Sequence, residues 1–352
     1  MPSDHREERE ERQERQERQE REPSPWQRLA PLADLVTPMA VRVAATLRLA
    51  DVMAGGAESV EELAQRTGTD ADALGRLLRH LTCHGLFAQP SPGRFTLNET
   101  AELLRSDHPS GARLWYDLDG FGGRMDLVFT ELMHTIRTGE PAWERVFGAP
   151  FWESLAADPA LAASFDAVMA GSLRTTAATH YDWSGVGHVV DVGGGTGTLV
   201  ADVLQANPAL RATLLDLPET VARGRELLTE LGLDGRCEFA GQSFFDPLPA
   251  GHDVYVLSAV LHDWDDAPAT AILRRCAEAA GETGRVLIVE SHGTAGEDPR
   301  MFAEMDLRML ALSGGRERSV DEYGALARAA GLAPVQVQST PSGHVIIDCR
   351  AA

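Results

Sequence analysis

The run Asp191-Val192-Gly193-Gly194-Gly195-Thr196-Gly197 follows a strand-like segment, His188–Val192, and opens a helix that the pattern ends near Asn207-Pro208. Glycines there let the chain turn sharply and let a ligand come against the backbone, while the helix start offers unpaired N–H groups; the run predicts a nucleotide-like cofactor site. The dinucleotide fingerprint G-x-G-x-x-G is not met, because Gly193-x-Gly195-x-Gly197 brings the third glycine one place early, which disfavours a nicotinamide cofactor. Asp216 closes the second strand, where an acid accepts ribose hydroxyls or caps the next helix. At the third strand's end, Gln242-Ser243-Phe244-Phe245-Asp246 offers Ser243 to hydrogen-bond and Phe244 to stack an adenine. Ligands in open α/β sheets bind at the carboxyl ends of strands, and the fourth strand delivers Leu261-His262-Asp263-Trp264-Asp265-Asp266 to that place.

The elements that must position these residues alternate between strand and helix from His188 onward. The expected strands are His188–Val192, Thr213–Leu217, Cys237–Ala240, Val254–Ser258, Arg285–Glu290, Val335–Gln338 and His344–Ile347. This grammar predicts a parallel sheet with helices on both faces, and the short turn between the last two strands makes one of them antiparallel.

With 352 residues the chain is long for one core and suggests two domains plus a tail. The division read from the sequence is a solvated charged tail over 1–24, a winged-helix domain over 25–110, a helical linker and pocket region over 111–183, and the cofactor-binding domain over 184–352. The tail repeats Arg6, Arg9, Arg12, Arg15, Arg18 and Arg21 with no apolar face, so it packs no core. A dense apolar pattern from Leu32 to Met53 predicts a helix buried on most sides. Ser59-x-x-Glu62 and Thr69-x-x-Asp72 open two capped helices, and Leu86–Ala88 with Phe95–Leu97 form a two-stranded wing. Such a module binds DNA or dimerises; Asp70 and Asp72 at the start of the second helix would face phosphates and favour dimerisation.

A formal net charge of −21 repels nucleic acid, and all 32 basic residues are arginine, which excludes lysine chemistry. Cys83, Cys237, Cys276 and Cys349 lie too far apart for a zinc motif and read as reduced core residues; no metal site is expected. No apolar run of about 20 residues is evident, so a soluble cytoplasmic protein with no membrane partner is expected.

Five motifs in order carry a resemblance: the D-V-G-G-G-T-G loop, the L-L-D-L-P strand end, L-H-D-W-D-D, Gly314-Gly315-Arg316-Glu317-Arg318-Ser319, and Asp306-Leu307-Arg308-Met309-Leu310 with Thr37–Arg42. From about residue 26 the chain resembles the small-molecule O-methyltransferases that include the caffeate-type enzymes, and within them the bacterial branch acting on aromatic polyketides and enediyne naphthoates. The resemblance implies a Rossmann-like methyltransferase sheet with an N-terminal winged-helix dimerisation domain, a homodimer, and S-adenosylmethionine as methyl donor to an aromatic phenol. It assigns Asp191, Gly193, Gly195, Asp216, Leu217, Ser243, Phe244, Ser258 and Trp264 to the cofactor. Many members carry Gly-Asp where this chain has Gln242-Ser243, so Ser243 supplies only a hydroxyl to the adenine. His262 maps on the general base, Glu290 and Glu317 on its flanking acids, and Asp263 on a contact to the substrate hydroxyl. Some relatives lack this histidine and one hydroxylates instead, which leaves hydroxylation as the alternative. Flat apolar walls for the ring are offered by Trp115, Phe121, Met125, Phe151, Trp152, Phe165, Met169, Met309 and Leu310, and Arg28 or Arg124 could pair a substrate carboxylate, or simply pair with a neighbouring acid or face solvent.

Overall fold

The computed structural model describes residues 24–172, 180–291, 299–341 and 343–352. The expected charged tail, apart from Ser24, therefore lies outside the described residues. The chain divides into two compact units, Met1–Tyr116 and Asp117–Ala352, and residues 117–172 sort with the sheet rather than standing alone.

In the N-terminal unit, Ser59 caps helix Val60–Thr67 in a full capping box with Glu62. The next helix, Ala71–Cys83, is capped by the Asp70 side chain, which accepts from Ala73 N at 2.8 Å, and not by Thr69. Asp70 is the residue with extended backbone next to the first turn, whereas Thr69 Oγ1 pairs with Thr67 Oγ1. Strands β1 (Ala88–Ser91) and β2 (Arg94–Thr96) pair as the wing. The single helix expected from Leu32 to Met53 is instead broken into Pro25–Leu32, Val36–Thr46 and Leu49–Ala54. Asp34 caps the second piece by accepting from Val36 N, and Arg48 adopts a left-handed φ of 52° between the second and third. The apolar pattern also does not bury evenly: Ala40, Ala44 and Ala45 are core, while Trp26, Leu29, Leu32, Leu35 and Val36 are exposed. By length and composition, Pro25–Thr46 passes as apolar enough to cross a membrane, contrary to the sequence expectation; the break at Ala33–Leu35 divides it into two short helices. Cys83 is exposed, so only three of the four cysteines are core residues, and all four are free thiols.

The C-terminal unit holds a seven-stranded sheet in the order β5-β4-β3-β6-β7-β9-β8, with β3 His188–Val192, β4 Arg211–Asp216, β5 Cys237–Gly241, β6 Val254–Ser258, β7 Arg285–Ser291, β8 Leu332–Ser339 and β9 His344–Ala351. β3 to β7 run parallel, and β9 is antiparallel to both its neighbours. Because parallel strands are covered on both faces, they read as continuous apolar runs, and alternate residues enter opposite cores. Val190, Tyr255, Leu257 and Ile288 join Ile272, Cys276 and Leu326 on one face. Val189, Val256 and Leu287 join Val200, Leu204 and Leu228 on the other. The strand order reverses between β3 and β6, and the carboxyl ends at that point carry the glycine loop and His262.

Leu287 is fully buried in the centre of this sheet. Leu287→Ala is expected to lower unfolding stability by about 2–5 kcal/mol with the fold retained, measured by denaturant titration; a loss below about 1 kcal/mol would show that the two-faced core does not bear on β7 as described.

Candidate active site

The glycine loop leaves β3 with Gly193 at φ 72° and Gly195 at φ 57°, a region that suits glycine. A Cβ on Gly193 would stand 3.0 Å from Val260 Cγ2 and 3.4 Å from the Phe244 ring, so the loop, the β6 end and the β5 end close on one point. Asp216 is held by two backbone donors, Gly195 N at 2.8 Å to Oδ2 and Leu217 N at 2.7 Å to Oδ1. Its carboxylate therefore spans the loop and the β4 end, with lone pairs left to accept hydroxyl donors; burial raises its pKa against those hydrogen bonds. Asp191 is 2% exposed beneath the loop, and burial, with the Asp216 carboxylate, pushes it up to about 7. That position makes it a support of the loop rather than a surface for ligand. Ser243 Oγ accepts from Phe245 N at 3.2 Å and so closes its own turn, leaving its proton and one lone pair for a further partner. Leu217 is 43% exposed and Ser258 half-buried at the end of β6. These residues fit an adenosine-type group: a cradle only glycine allows, an aromatic wall at Phe244, and an acid ready to accept paired hydroxyls.

His262 lies on the short turn Leu261–Asp263 after β6. Its Nδ1 is 2.9 Å from Glu317 Oε1 and 3.9 Å from Glu290 Oε2, and its Nε2 is 3.7 Å from Asp263 Oδ1. A carboxylate accepts only, so Nδ1 carries a proton toward Glu317, and in the neutral ring the lone pair is on Nε2. Burial opposes the imidazolium, but Glu290, Asp263 and Glu317 outweigh it and push His262 up to about 10. The same burial raises Glu290 to about 7 and Asp263 to about 6. Of the two expected flanking acids, Glu317 orients the ring directly. Glu290, fully buried, spends Oε1 on Val260 N (3.1 Å) and Leu261 N (2.7 Å) and thereby shapes the turn. That turn includes Ala259 at φ 51°, a strained angle for a residue with a Cβ, held by Ala259 N to Val289 O at 3.0 Å.

Arg318 is a residue whose part the sequence reading missed. It is 1% exposed and donates to Leu261 O (3.0 Å), Trp264 O (2.8 Å), Arg316 O (3.2 Å) and Asp266 Oδ1 (2.9 Å), pinning both ends of the histidine turn to the Gly314–Ser319 segment. Arg316 N adds a bond to His262 O at 2.7 Å, and Asp306 Oδ1 accepts from Glu317 N at 2.9 Å. The signal was available: an arginine two places from other charges in a glycine-led loop is a five-donor fork suited to loose carbonyls.

Trp264 stacks on Trp152 with centroids 5.8 Å apart at 9°, and meets Phe244 and Phe245 edge-on at 5.9 and 5.1 Å. From Trp152 the rings continue to Phe151 at 4.7 Å, then to Phe121 at 5.9 Å, with Phe165 4.9 Å from Phe121. Phe121, Met125, Phe151 and Met309 are at most 6% exposed and act as core; Trp152, Phe165, Met169 and Leu310 are half-buried and able to face a ligand. Arg124 is paired with Asp158 at 3.2 Å, which places its charge in a structural ion pair, and Asp126 instead takes Arg308 at 2.8 Å. Trp115 and the exposed Arg28 belong to the N-terminal unit.

A glycine loop and a part-buried histidine at the switch point of a mixed sheet are the features of an α/β protein that takes a nucleotide-like cofactor. Residues 129–333 match the O-methyltransferase domain model and residues 32–107 the O-methyltransferase dimerisation domain model, and the chain belongs to this O-methyltransferase family. It is 53% identical over 308 residues to the 2,7-dihydroxy-5-methyl-1-naphthoate 7-O-methyltransferase of Streptomyces carzinostaticus, covering 87% of this chain and 92% of the relative. It is 44% identical over 324 residues to the aclacinomycin 10-hydroxylase of Streptomyces purpurascens, covering 90% of this chain and 87% of the relative. Among solved structures it superposes with a TM-score of 0.86 and 50% identity on an O-methyltransferase from neocarzinostatin biosynthesis in complex with S-adenosylmethionine and 2-hydroxy-5-methyl naphthoic acid, covering 92% of this chain and 98% of that one. The protein is thus an S-adenosylmethionine-dependent O-methyltransferase.

Gly315 allows the histidine turn to lie against the Gly314–Ser319 segment: a Cβ there would stand 2.2 Å from His262 O. Gly315→Ala is expected to cut turnover at least about tenfold while S-adenosylhomocysteine affinity, measured by calorimetry, changes little; undiminished turnover would show that this close approach does not set the position of His262.

Proposed function

We propose that this enzyme methylates a phenolic hydroxyl of a hydroxynaphthoate-type aromatic acid in secondary-metabolite biosynthesis, with His262 as general base. The observation that carries the substrate reading is the 53% identity to a naphthoate 7-O-methyltransferase along nearly its whole length. The family's cofactor supplies an electrophilic methyl group when bound, and Gly193, Gly195, Asp216, Leu217, Phe244, Ser243 and Ser258 are the residues proposed to hold it. Trp152, Phe165, Met169 and Leu310 offer flat apolar contact to a ring. His262 Nε2, in the neutral ring whose Nδ1–H donates a hydrogen bond to Glu317 and stays on Nδ1, takes the hydroxyl proton as the oxygen attacks, and the neighbouring carboxylates stabilise the imidazolium that results. Hydroxylation, the activity named for the 44% identical relative, is not favoured.

The exposed apolar residues Trp26, Leu29, Leu32, Leu35 and Val36 in a unit matching a dimerisation domain support a homodimer, and the cytoplasm is the proposed compartment. Arg28 on the same exposed helix is the remaining candidate for a substrate carboxylate, since Arg124 is already paired.

Incubation of the full chain with S-adenosylmethionine and a panel of hydroxynaphthoic acids, read by mass spectrometry, is expected to show the gain of one methyl on at least one member; cofactor binding without methyl gain on any member would overturn the substrate class. His262→Ala is expected to lower turnover about 10²–10⁴-fold with cofactor affinity nearly intact, and Asp216→Ala to weaken cofactor affinity first. With His262 held up to about 10, its neutral form grows as pH rises, so kcat/KM is expected to climb with pH through the neutral range. Glu317→Gln removes a carboxylate that stabilises the imidazolium and moves the inflection to lower pH; a flat pH profile in the parent enzyme would count against His262 as the base.

A further inference from the structure

Three buried polar atoms on His262's acids and on a residue packed behind its turn have no hydrogen-bond partner among the described residues: Glu290 Oε2, which is 3.9 Å from Nδ1, Glu317 Oε2 and the Tyr323 hydroxyl. Glu290 and Tyr323 are fully buried and Glu317 is 5% exposed. Tyr323 comes from a different element, the helix Val320–Ala329, and packs in the core cluster that also holds Leu261 and Val260. Its ring lies 6.0 Å from the Arg318 guanidinium that pins the histidine turn. The charged groups that bear on its hydroxyl are Glu290, Glu317, Arg318 and Asp263, and those that bear on His262 are Glu290, Asp263 and Glu317.

Folded proteins pair almost all their buried polar groups, so three orphans on residues that bear on one histidine turn invite a shared partner. Two of the three are carboxylate oxygens that accept, and the third is a hydroxyl that donates. Water matches that set, since it donates twice and accepts once. We propose that one buried water joins Glu290 Oε2, Glu317 Oε2 and the Tyr323 hydroxyl, and that Tyr323 is thereby a positioning residue for His262. The proposal concerns the imidazole's environment, and its catalytic meaning rests on the reading of His262 as the base. Through the water, the Tyr323 hydroxyl stabilises the ionised carboxylates, and the ionised carboxylates keep the imidazole basic. Without the hydroxyl the carboxylates hold protons more readily, the negative charge facing Nδ1 falls, and the imidazole becomes less basic.

The test is an NMR titration of the His262 ring in the full chain with isotope-labelled histidine, saturated with S-adenosylhomocysteine. Tyr323→Phe is expected to lower the His262 pKa by about half a unit or more, and to move the inflection of kcat/KM toward lower pH by the same amount. An unchanged or raised His262 pKa in the folded variant overturns the proposal, because a merely structural tyrosine would leave that titration in place. Should Tyr323→Phe fold poorly, Tyr323→Met also lacks the hydroxyl and is read in the same way. A shift of the titration together with undiminished turnover in His262→Ala would leave the water network standing and remove the base assignment; loss of turnover in His262→Ala without the shift would do the reverse.

Discussion

An imidazole surrounded by three carboxylates beyond the carboxyl end of β6, the middle strand of the sheet, is the constraint to which the rest of the C-terminal unit answers. Taking carboxylates out of water is costly, and here burial raises both Glu290 and Asp263. The cluster persists because each charge is met. Glu290 is met by two backbone N–H groups, Glu317 by the ring of His262, and the carbonyls of the histidine turn by the five-donor fork of Arg318. Removing one partner would strand the others, which is why residues far apart in sequence, at 260–264, 290 and 316–318, form one interlocked group.

The strain in the turn has the same source. Ala259 accepts a left-handed φ because Val289 O and Glu290 Oε1 hold the backbone on either side of it. The result sets Nδ1 against Glu317 and Glu290 and leaves Nε2 3.7 Å from Asp263. The aromatic chain from Trp264 through Trp152 and Phe151 to Phe121 extends this order into the helices preceding the sheet, so their ring packing is continuous with that around the histidine turn.

Much of this was legible in residue order. The glycine loop, the strand alternation and the capping box at Ser59 depend on interactions within a few residues, and local chemistry states them openly. The Leu32–Met53 segment was less legible: an apolar helical pattern does not reveal where Asp34 caps and Arg48 reverses, nor which apolar side chains stay exposed in one chain. Whether Arg124 pairs a substrate carboxylate or a neighbouring acid stayed open in the sequence, because the partner it takes, Asp158, is 34 positions away. The aromatic candidates could be named but not sorted, since a phenylalanine in the core and one facing a ligand look alike in composition.

The sequence by itself determined the class of the protein, since the D-V-G-G-G-T-G loop, Asp216 and the L-H-D-W-D-D segment each carry their chemistry in adjacent residues. Only the tertiary structure decided the division of labour around His262: which glutamate holds the ring, which one shapes the turn, and that Arg318 pins the ends of that turn. The physical reason is distance along the chain. Hydrogen bonds within a turn are written in neighbouring residues, whereas the partners of a buried charge are chosen by how strands and helices from separate parts of the chain come together.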